Sequence, residues 1–304
     1  MSAPSVPVIR QTAGAGAARS AARRRSNGVG SERRPRWLTY TLLSLALAIS
    51  AYPLYFAVQL ASSTSTQIAQ NPIPALLPQG ELFTNLKRVL EADIDLWQAI
   101  VNSIIVSTAT AISVVMFATL AGYSFAKLRF RGRRPLLVFV IATMAVPTQL
   151  GVVPLFIVMR ELDLVGSLWA VILPGMVTAF GVFWMTQYLD SALPYELIEA
   201  ARVDGASMLR TFWNVALPAA RPAATMLGLF TFIASWTNFF WPSIVLGTKN
   251  PTLPVALQLL QAGFFKDIAL IMAGVVISVI PLIVLFVVAG RQLVAGIMQG
   301  AVKG

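Results

Sequence analysis

The sequence predicts an all-α membrane protein that crosses the bilayer six times, and three observations support this. Hydrophobic residues make up 57% of the 304 residues and the mean hydropathy is +0.74, whereas soluble domains are about 45–50% apolar. Charged residues are concentrated in short segments between long apolar runs. Six of these runs are long enough to cross about 30 Å of hydrocarbon as helices.

The predicted spans follow one another with polar or charged segments between them. The segment between the first two spans contains several prolines, and short helices are expected in it. Pro147 and Pro154 interrupt the third span, and Pro174 and Gly175 lie in the fourth; they indicate either kinks around a cavity or ordinary packing adjustments. The predicted spans are 37–60, 99–126, 135–159, 167–189, 222–246 and 268–290.

The N-terminal residues 1–36 are rich in Ala, Gly, Ser and Arg, with eight Arg against a single acid, Glu32. Such a composition cannot bury enough apolar surface to fold alone. An Arg-rich and acid-poor segment is also typical of transit peptides. We expect a disordered, basic cytoplasmic tail that helps to orient the first span.

The distribution of basic residues predicts which ends of the spans face the cytoplasm. Six spans place both termini on one side, and eighteen of the twenty-three Lys and Arg then lie on that side. Five of them form a tight basic turn at 127–134 between the second and third spans. Because cytoplasmic loops carry an excess of Lys and Arg, both termini are predicted to be cytoplasmic. The polar loop 191–221, between the fourth and fifth spans, is then cytoplasmic as well.

The residue types that are missing exclude several kinds of chemistry. The chain has no Cys and no His, so thiolate chemistry, the usual zinc sites and histidine acid–base catalysis are excluded. It has no Gly-x4-Gly-Lys-Ser/Thr loop, so it is not expected to bind ATP itself. We expect no enzymatic activity, no cofactor and no metal. The net charge of +11 is local and lacks an aromatic-rich basic face, so nucleic acid is not an expected partner.

The interiors of the six predicted spans contain no Lys, Arg, Asp or Glu. Ion-coupled carriers usually keep titratable residues within the membrane, because charge there is costly and is retained for ion sites and proton relays. The absence argues against proton coupling. It argues less strongly against sodium, which backbone carbonyls of broken helices can hold. The energy source is therefore expected to lie outside this chain.

The polar segment 193–222 is predicted to form two helices joined by a turn. Pro194 suits the first turn of a helix, and the acids that follow it favour the positive end of the helix dipole. Asp204-Gly205 breaks the helix, and Asp204 could cap the next one. The second helix is expected to end near Leu217, before Pro218. Its apolar residues recur at helical spacing and predict an exposed stripe that needs a partner: Met208, Phe212 and Val215.

These residues resemble the EAA motif of permease subunits of bacterial ABC importers. The match consists of Glu199-Ala200-Ala201, then Gly205 after three residues, and then Val215, where Ile is usual, and Leu217-Pro218. The resemblance implies that the second helix is a coupling helix on an ATPase subunit. Glu199 would contact the ATPase electrostatically, Gly205 would form the turn after Asp204, and Met208 and Phe212 would fill the ATPase cleft. The alternative is an ordinary amphipathic surface hairpin.

Over residues 37–304 the chain is similar to carbohydrate-uptake permeases of the maltose-importer type. Further marks of this group are Asn102-Ser103, the basic turn, the run 236–242 followed by Pro251-Thr252-Leu253-Pro254, and the ending 296–304. The resemblance implies a six-span permease domain at 37–290 and a cytoplasmic tail at 291–304 that contacts the ATPases. The tail residues expected to make this contact are Gly300, Lys303 and Gly304. A frayed terminus is the alternative.

The same resemblance implies the partners and the location of the protein. It would pair with a second, homologous permease, two ATPase subunits that bind the ATP, and an extracellular solute-binding lipoprotein, in a bacterial plasma membrane. The solute would be a carbohydrate, with a di- or oligosaccharide favoured. One alternative is an ABC permease for an amino acid, peptide or polyamine. Others are a stand-alone secondary carrier or channel, and a membrane scaffold without a transport role.

The run 236–242, Trp-Thr-Asn-Phe-Phe-Trp-Pro, is the candidate substrate path, with Trp236, Asn238 and Trp241 as the expected contacts. Aromatic rings beside amides suit sugars, because sugar C–H groups face rings and sugar hydroxyls need hydrogen-bond partners. An aromatic belt at the membrane interface is the alternative. Other polar residues within the spans would serve either the path or hydrogen bonds between helices: Thr143, Gln149, Thr178 and Gln187.

Overall fold

The structure, a computed structural model, describes residues 37–71, 73, 76–261 and 266–301, with side chains up to residue 290. Every regular element within these residues is helical. The predicted tail at 1–36 lies outside them. The helices are α1 (Trp37–Ala61), α2 (Ser65–Gln70), α3 (Leu82–Leu90), α4 (Leu96–Lys127), α5 (Arg133–Thr143), α6 (Val152–Glu161), α7 (Trp169–Gly175), α8 (Ala179–Ala192), α9 (Tyr195–Val203), α10 (Met208–Thr211), α11 (Leu217–Trp236), α12 (Phe240–Val245), α13 (Leu253–Leu259) and α14 (Ile268–Ala301).

Four helical segments are each long and apolar enough to cross a membrane alone: Trp37–Ala61, Leu96–Lys127, Met208–Trp236 and Ile268–Gly290. Two further candidates are bent pairs. Arg133–Thr143 and Thr148–Glu161 meet at 90°, and Trp169–Gly175 and Ala179–Ala192 meet at 40°. The chain has up to six spans if each bent pair counts as one crossing. This confirms an all-helical membrane protein, and the predicted short helices between the first two spans are α2 and α3.

Prolines break two spans at only some of the predicted positions. The third span breaks just before Pro147, which begins a 3₁₀ turn at Thr148–Gly151. Pro154 does not break the helix, because it lies in the first turn of α6, where a missing N–H is tolerated. The fourth span breaks after Pro174, which lies at the end of α7. Both breaks are therefore associated with a proline, but a proline alone does not predict a break.

Helix α4 is central to the bundle because it packs along both α8 and α11. At Gly122, a Cβ atom would lie 2.7 Å from Met185 Cβ and 2.8 Å from the Met185 carbonyl carbon, so only glycine fits there. On α11 three of the four buried residues in this core are alanines, Ala220, Ala223 and Ala224, and the fourth is Leu227. Small residues allow helix backbones to approach closely, which is the usual basis of packing within membranes.

The fifth span differs from the prediction at both ends. The helix does not stop at Leu217, and the span does not begin at 222: α10, a π-helical segment at Phe212–Ala216 and α11 form one continuous helix, Met208–Trp236. The Leu217 N–H donates to the Phe212 carbonyl, five residues back. Pro218 has no N–H to donate to a helical hydrogen bond, which would usually interrupt the helix. The wider π-helical turn at Phe212–Ala216 comes just before Pro218, and the helix continues through it. At the other end the helix stops at Trp236, and the short α12 follows a break.

A polar network orders the segment between the first two spans. Asn85 is buried and its side-chain amide donates to the carbonyls of Ala61 and Ser63, at 2.9 Å each. Asp267 accepts from Arg88 at 2.6 Å, from Ser65 at 2.8 Å and from the Leu270 N–H at 3.1 Å. Burial alone would raise the pKa of Asp267, but these hydrogen bonds and the Arg88 charge together hold that pKa below its usual value. The network fixes α2 and α3 against the start of α14.

Candidate functional site

The loop between α8 and α11 forms a compact helix–turn–helix. Pro194 precedes α9, and Asp204 follows it as the C-terminal cap. Gly205 has a φ of +76°, in the left-handed region that glycine adopts without strain. The Ser207 Oγ accepts a hydrogen bond from the Arg210 N–H and so caps α10. The predicted turn at Gly205 is confirmed, whereas the prediction that Asp204 caps the second helix is wrong.

The loop is anchored to the bundle by apolar side chains. Leu193, Ile198 and Phe212 are buried in the same core as α4 and α8. The Phe212 ring centroid lies 6.0 Å from that of Tyr123 on α4. Phe212 is only 2% exposed, and Val215 packs against the same core. The prediction of an exposed stripe through Met208, Phe212 and Val215 is therefore wrong, because its last two residues face inward.

A different set of apolar side chains is exposed on the loop. Met208 keeps 59% of its surface exposed, and its neighbours Leu209 and Trp213 are exposed to a similar extent. We call these three residues, together with the exposed Val203, the loop patch. Glu199, Ala200, Asp204 and Gly205 are exposed on the same loop, while Ala201, Leu217 and Pro218 are partly buried. The loop thus combines a rigid anchor with an unpartnered apolar surface in this chain.

The breaks in three spans surround a cavity of about 760 Å³, which we call the central cavity. Its lining comes from the α5–α6 break, the α7–α8 break and the α11–α12 break. The polar lining residues are Thr143, Thr148, Gln149, Thr178 and Asn238, and the aromatic ones are Phe180, Phe240 and Trp241. Irregular backbone at membrane depth is tolerated where it is buried in protein or lines a water-filled cavity. The broken spans and the cavity therefore occur together.

The polar groups around the central cavity differ in whether they are already satisfied. Thr143 Oγ1 donates to the Val140 carbonyl, and Thr178 Oγ1 accepts from the Gly181 N–H at the start of α8. Trp241 Nε1 donates to the Ala170 carbonyl at 2.9 Å, which fixes its ring. By contrast, the side-chain amides of Gln149 and Asn238 have no hydrogen-bond partner among the described residues. Two amides therefore remain available to a solute.

Trp236 does not join Asn238 and Trp241 at the central cavity. It is only 2% exposed, its ring stacks on Phe232, and its Nε1 donates to the Ser278 carbonyl at 3.1 Å. It borders a separate cavity of about 510 Å³ between α11, α13 and α14. The helix break after Trp236 separates the two tryptophans. Two of the three predicted path residues are brought together, and the third lies in another part of the bundle.

Two motifs that mark the resemblance, Asn102-Ser103 and Pro251–Pro254, contact each other in the structure. The sequence alone did not predict this contact. The buried Asn102 donates through Nδ2 to the Pro251 carbonyl at 3.0 Å. Ser103 Oγ accepts from the Leu253 N–H at 2.7 Å. These bonds attach the segment before α13 to α4, across about 150 residues of chain. The two motifs therefore have a packing role in this chain.

The family description "binding-protein-dependent transport system inner membrane component" matches residues 115–295, which is more than half of the chain and includes the loop and the whole central cavity. The chain belongs to this family. The resemblance inferred from the EAA motif is thereby confirmed at the level of the family, and the chain is a permease component of a transport system.

Several relatives of this permease are similar over nearly their whole length. The arabinooligosaccharides transport system permease protein AraQ of Halalkalibacterium halodurans is 30% identical over 270 residues, which is 88% of this chain and 96% of AraQ. The lactose transport system permease protein LacG of Rhizobium radiobacter is 28% identical, covering 89% and 97%. The sn-glycerol-3-phosphate transport system permease protein UgpE of Yersinia pestis is 26% identical, covering 86% and 95%.

A solved structure supports the fold of the permease. One chain of a bacterial ABC transporter involved in the import of the acidic polysaccharide alginate matches with a TM-score of 0.70 and 24% identity, covering 84% of this chain and 94% of that one.

The predicted ATPase-contacting tail is described only in part. Gly300 lies within α14, which continues past residue 290 without a break. Lys303 and Gly304 lie outside the described residues, so the tail contact stays a prediction.

Proposed function

We propose that this chain is the membrane subunit of an ATP-driven importer that passes a di- or oligosaccharide from an extracellular binding protein into the cytoplasm of a bacterium. The observation that carries the proposal is the exposed loop patch on a loop that is rigidly anchored to the bundle, within a chain of the binding-protein-dependent family. The two parts of the proposal, coupling to an ATPase and passage of a sugar, rest on different residues.

The loop is suited to transmit force from a partner. Its exposed residues Met208, Leu209 and Trp213 form an apolar centre, and apolar and aromatic anchors of this kind dominate binding at interfaces. Glu199 and Asp204 are exposed on the same loop and supply negative charge for a partner. Behind the patch, Ile198 and Phe212 are buried against α4 and α8, so a push on the patch moves the bundle. The ATPase contact assigned to Phe212 by resemblance passes to Leu209 and Trp213.

The central cavity is suited to a neutral polyhydroxylated solute. The unsatisfied amides of Gln149 and Asn238 can each donate to and accept from hydroxyl groups. Trp241, held by its bond to Ala170, presents an aromatic surface beside them. None of the described residues that line the cavity carries a charge. This lining favours a sugar over an amino acid, a polyamine or a phosphate ester, each of which would need a charged partner.

The partners follow from the mode of action. Because the sequence has no Gly-x4-Gly-Lys-Ser/Thr loop, two separate ATPase subunits would supply the energy, and a second, homologous permease would complete the pathway in the plasma membrane. With both termini cytoplasmic, the loop faces the ATPases and the polar segment at 61–98 faces the extracellular solute-binding lipoprotein. The C-terminal residues Gly300, Lys303 and Gly304 extend the cytoplasmic contact, and the tail at 1–36 remains on that side.

Reconstitution tests the proposal directly. The complete complex in liposomes is expected to import a radiolabelled oligosaccharide only when ATP is inside and the binding protein is outside. The isolated chain should give no flux. Flux through the isolated chain would contradict the coupled mechanism and favour a carrier or channel. Tight binding of amino acids, with no binding of sugars, by the partner binding protein would contradict the sugar assignment.

Single substitutions test the coupling loop. Gly205→Val places a β-branched residue at a φ of +76°, and Glu199→Lys reverses a charge at the proposed interface. We expect ATP-dependent uptake to fall at least about tenfold, which corresponds to loss of roughly 1.4 kcal/mol of coupling, with normal insertion of the spans. Lys249→Met, in a loop outside the proposed contact, is the control. Normal uptake by both loop variants would contradict the coupling role.

A further inference from the structure

Lys127, the last residue of α4, is buried although it carries a charge. Its side chain is only 3% exposed, whereas Arg129, Arg131 and Arg134 in the same basic turn are exposed. Burying an ammonium group is costly unless it is paired and hydrogen-bonded. The rule that cytoplasmic loops are rich in basic residues explains the exposed arginines, because these need only lie near the membrane surface. It does not explain the burial of Lys127.

The ammonium of Lys127 has three partner groups on the neighbouring helices α8 and α9. Its Nζ donates to the Asp190 carbonyl at 2.9 Å and lies 4.0 Å from the Asp190 carboxylate. It also lies 4.6 Å from the centroid of the Tyr195 ring, within the range of a cation–π contact. The Asp190 carbonyl belongs to the last turn of α8, where carbonyls lack helical partners and the helix dipole is negative. Tyr195 is the first residue of α9.

A second contact connects the same elements in the opposite direction. The Tyr195 hydroxyl donates to the carbonyl of Ala126, in the last turn of α4, at 3.4 Å. Arg133 at the start of α5 donates to the same carbonyl at 3.2 Å. The unpaired carbonyls of α4 and α8 are thus capped by side chains from across the junction. Four helices, α4, α5, α8 and α9, meet at this one point.

We infer that Lys127 is a positioning residue for transport: it fixes the entrance of the coupling loop to the end of α4, so that a displacement of the loop moves α4 and α8 together. The inference rests on the coupling role proposed above. Lys127 contacts neither solute nor ATPase in this scheme. It acts through Asp190 and Tyr195, which join α8 to α9. Without the ammonium, the loop would still contact the ATPase, but the loop would be attached less firmly to α4.

The test uses the complete importer in liposomes and measures two quantities, ATP hydrolysis stimulated by the binding protein and sugar uptake. Lys127→Met is expected to keep hydrolysis and to lower uptake per ATP by about threefold to tenfold, the range of coupling changes seen for residues remote from both ligands. Lys127→Arg, which can still donate to Asp190 and lie over Tyr195, should restore the ratio. Arg131→Met, in the exposed part of the same turn, is the matched control.

A crosslink separates failure of this inference from failure of the proposed function. The chain has no cysteine, so Met208→Cys gives a single thiol on the loop patch for crosslinking to the ATPase. No crosslink in an otherwise unaltered complex would overturn the coupling contact itself. A crosslink together with a normal uptake-to-hydrolysis ratio in Lys127→Met would overturn only the role of Lys127.

A second pair of variants decides the matter if Lys127→Met does not assemble. Tyr195→Phe keeps the ring under the ammonium and removes only the long hydroxyl contact, so its ratio should stay within about twofold of the unaltered importer. Tyr195→Leu removes the ring and should lower uptake per ATP by at least about threefold. Equal ratios in the two variants would overturn the inference.

Discussion

The end of the bundle that carries the loop between α8 and α11 is dense, whereas the region of the broken spans is open. At the loop end, α4 and α8 approach so closely that Gly122 has no room for a methyl group. In the broken region a Cβ added at Gly151 would meet nothing within 4 Å, and about 760 Å³ remains unfilled. The difference fits the function proposed above, in which the closely packed region transmits displacement of the loop and the open region holds a solute.

The largest effect is expected at the boundary between these regions, at Trp236. Its ring is buried and its N–H is satisfied, so Trp236→Ala should lower the free energy of unfolding by about 3–5 kcal/mol. The comparison is Trp241→Ala, whose ring borders the central cavity and is less completely buried. Thermal unfolding in detergent measures both. A smaller loss of stability in Trp236→Ala than in Trp241→Ala would contradict the assignment of Trp236 to the buried core and of Trp241 to the lining of the central cavity.

Gly122→Ala tests the density of the loop end. The added methyl would lie within 3 Å of both side-chain and backbone atoms of Met185, so α4 and α8 must separate. We expect a loss of about 1–3 kcal/mol, as for other overpacked sites, seen as a lower unfolding midpoint. The matched variant is Gly151→Ala in the open region, which should cost less than about 0.5 kcal/mol. Similar losses at both positions would remove the contrast between the regions.

Asn238→Ala and Gln149→Ala test the open region as a solute path. Each removes an amide that has no partner in the described part of the chain, so stability should hardly change. Uptake at limiting sugar concentration should fall by about twofold to tenfold, the equivalent of one hydrogen bond of roughly 0.5–1.5 kcal/mol. Transport assays with purified complex measure this. Gln187→Ala, on α8 away from the cavity lining, is the control, and equal transport in all three variants would favour packing over passage.

The smallest effect is expected at Asp267, outside both regions. The pKa of Asp267 in the folded protein is held below its usual value. Its carboxylate therefore stabilises the fold at pH values above about 4, the ordinary pKa of an Asp side chain in an unfolded chain. This contribution is lost as pH falls through the lower folded-state pKa. Asp267→Asn should therefore lower stability by up to about 1 kcal/mol at pH 7 and by progressively less below pH 4. The exposed pair Lys87–Glu91 provides the control, since Glu91→Gln should have little effect at either pH.

The sequence predicted the helical class, the apolar segments that form the candidate spans, except the bounds of the fifth, and the turn at Gly205. Each of these rests on composition or on a backbone conformation that few residues adopt. It did not predict which prolines break a helix: Pro147 does, but Pro154 lies in a first turn and Pro218 follows a π segment. Helical spacing likewise placed Phe212 beside Met208 on an exposed face. Phe212 is buried instead, because its ring packs against Tyr123, about ninety positions away in the sequence.

The candidate site was predictable only in part for the same reason. The run 236–242 indicated aromatic and amide groups suited to a sugar, and Asn238 and Trp241 do border a cavity. The break that sends Trp236 elsewhere has no signal in the run itself. Gln149 was one of several ambiguous polar residues until the 90° bend in the third span brought it to the same cavity. Tertiary geometry, not residue type, selects among such candidates.

The helix Met208–Trp236 runs without interruption from the loop patch to the edge of the central cavity. Its 29 residues make a rod about 43 Å long. A rod that pivots near its middle by about 10° carries its two tips about 4 Å in opposite senses. In the coupling mechanism proposed above, pressure on the loop patch would thus move Asn238, two residues beyond the end of this helix, in the opposite direction, in concert with the displacement of α4 and α8.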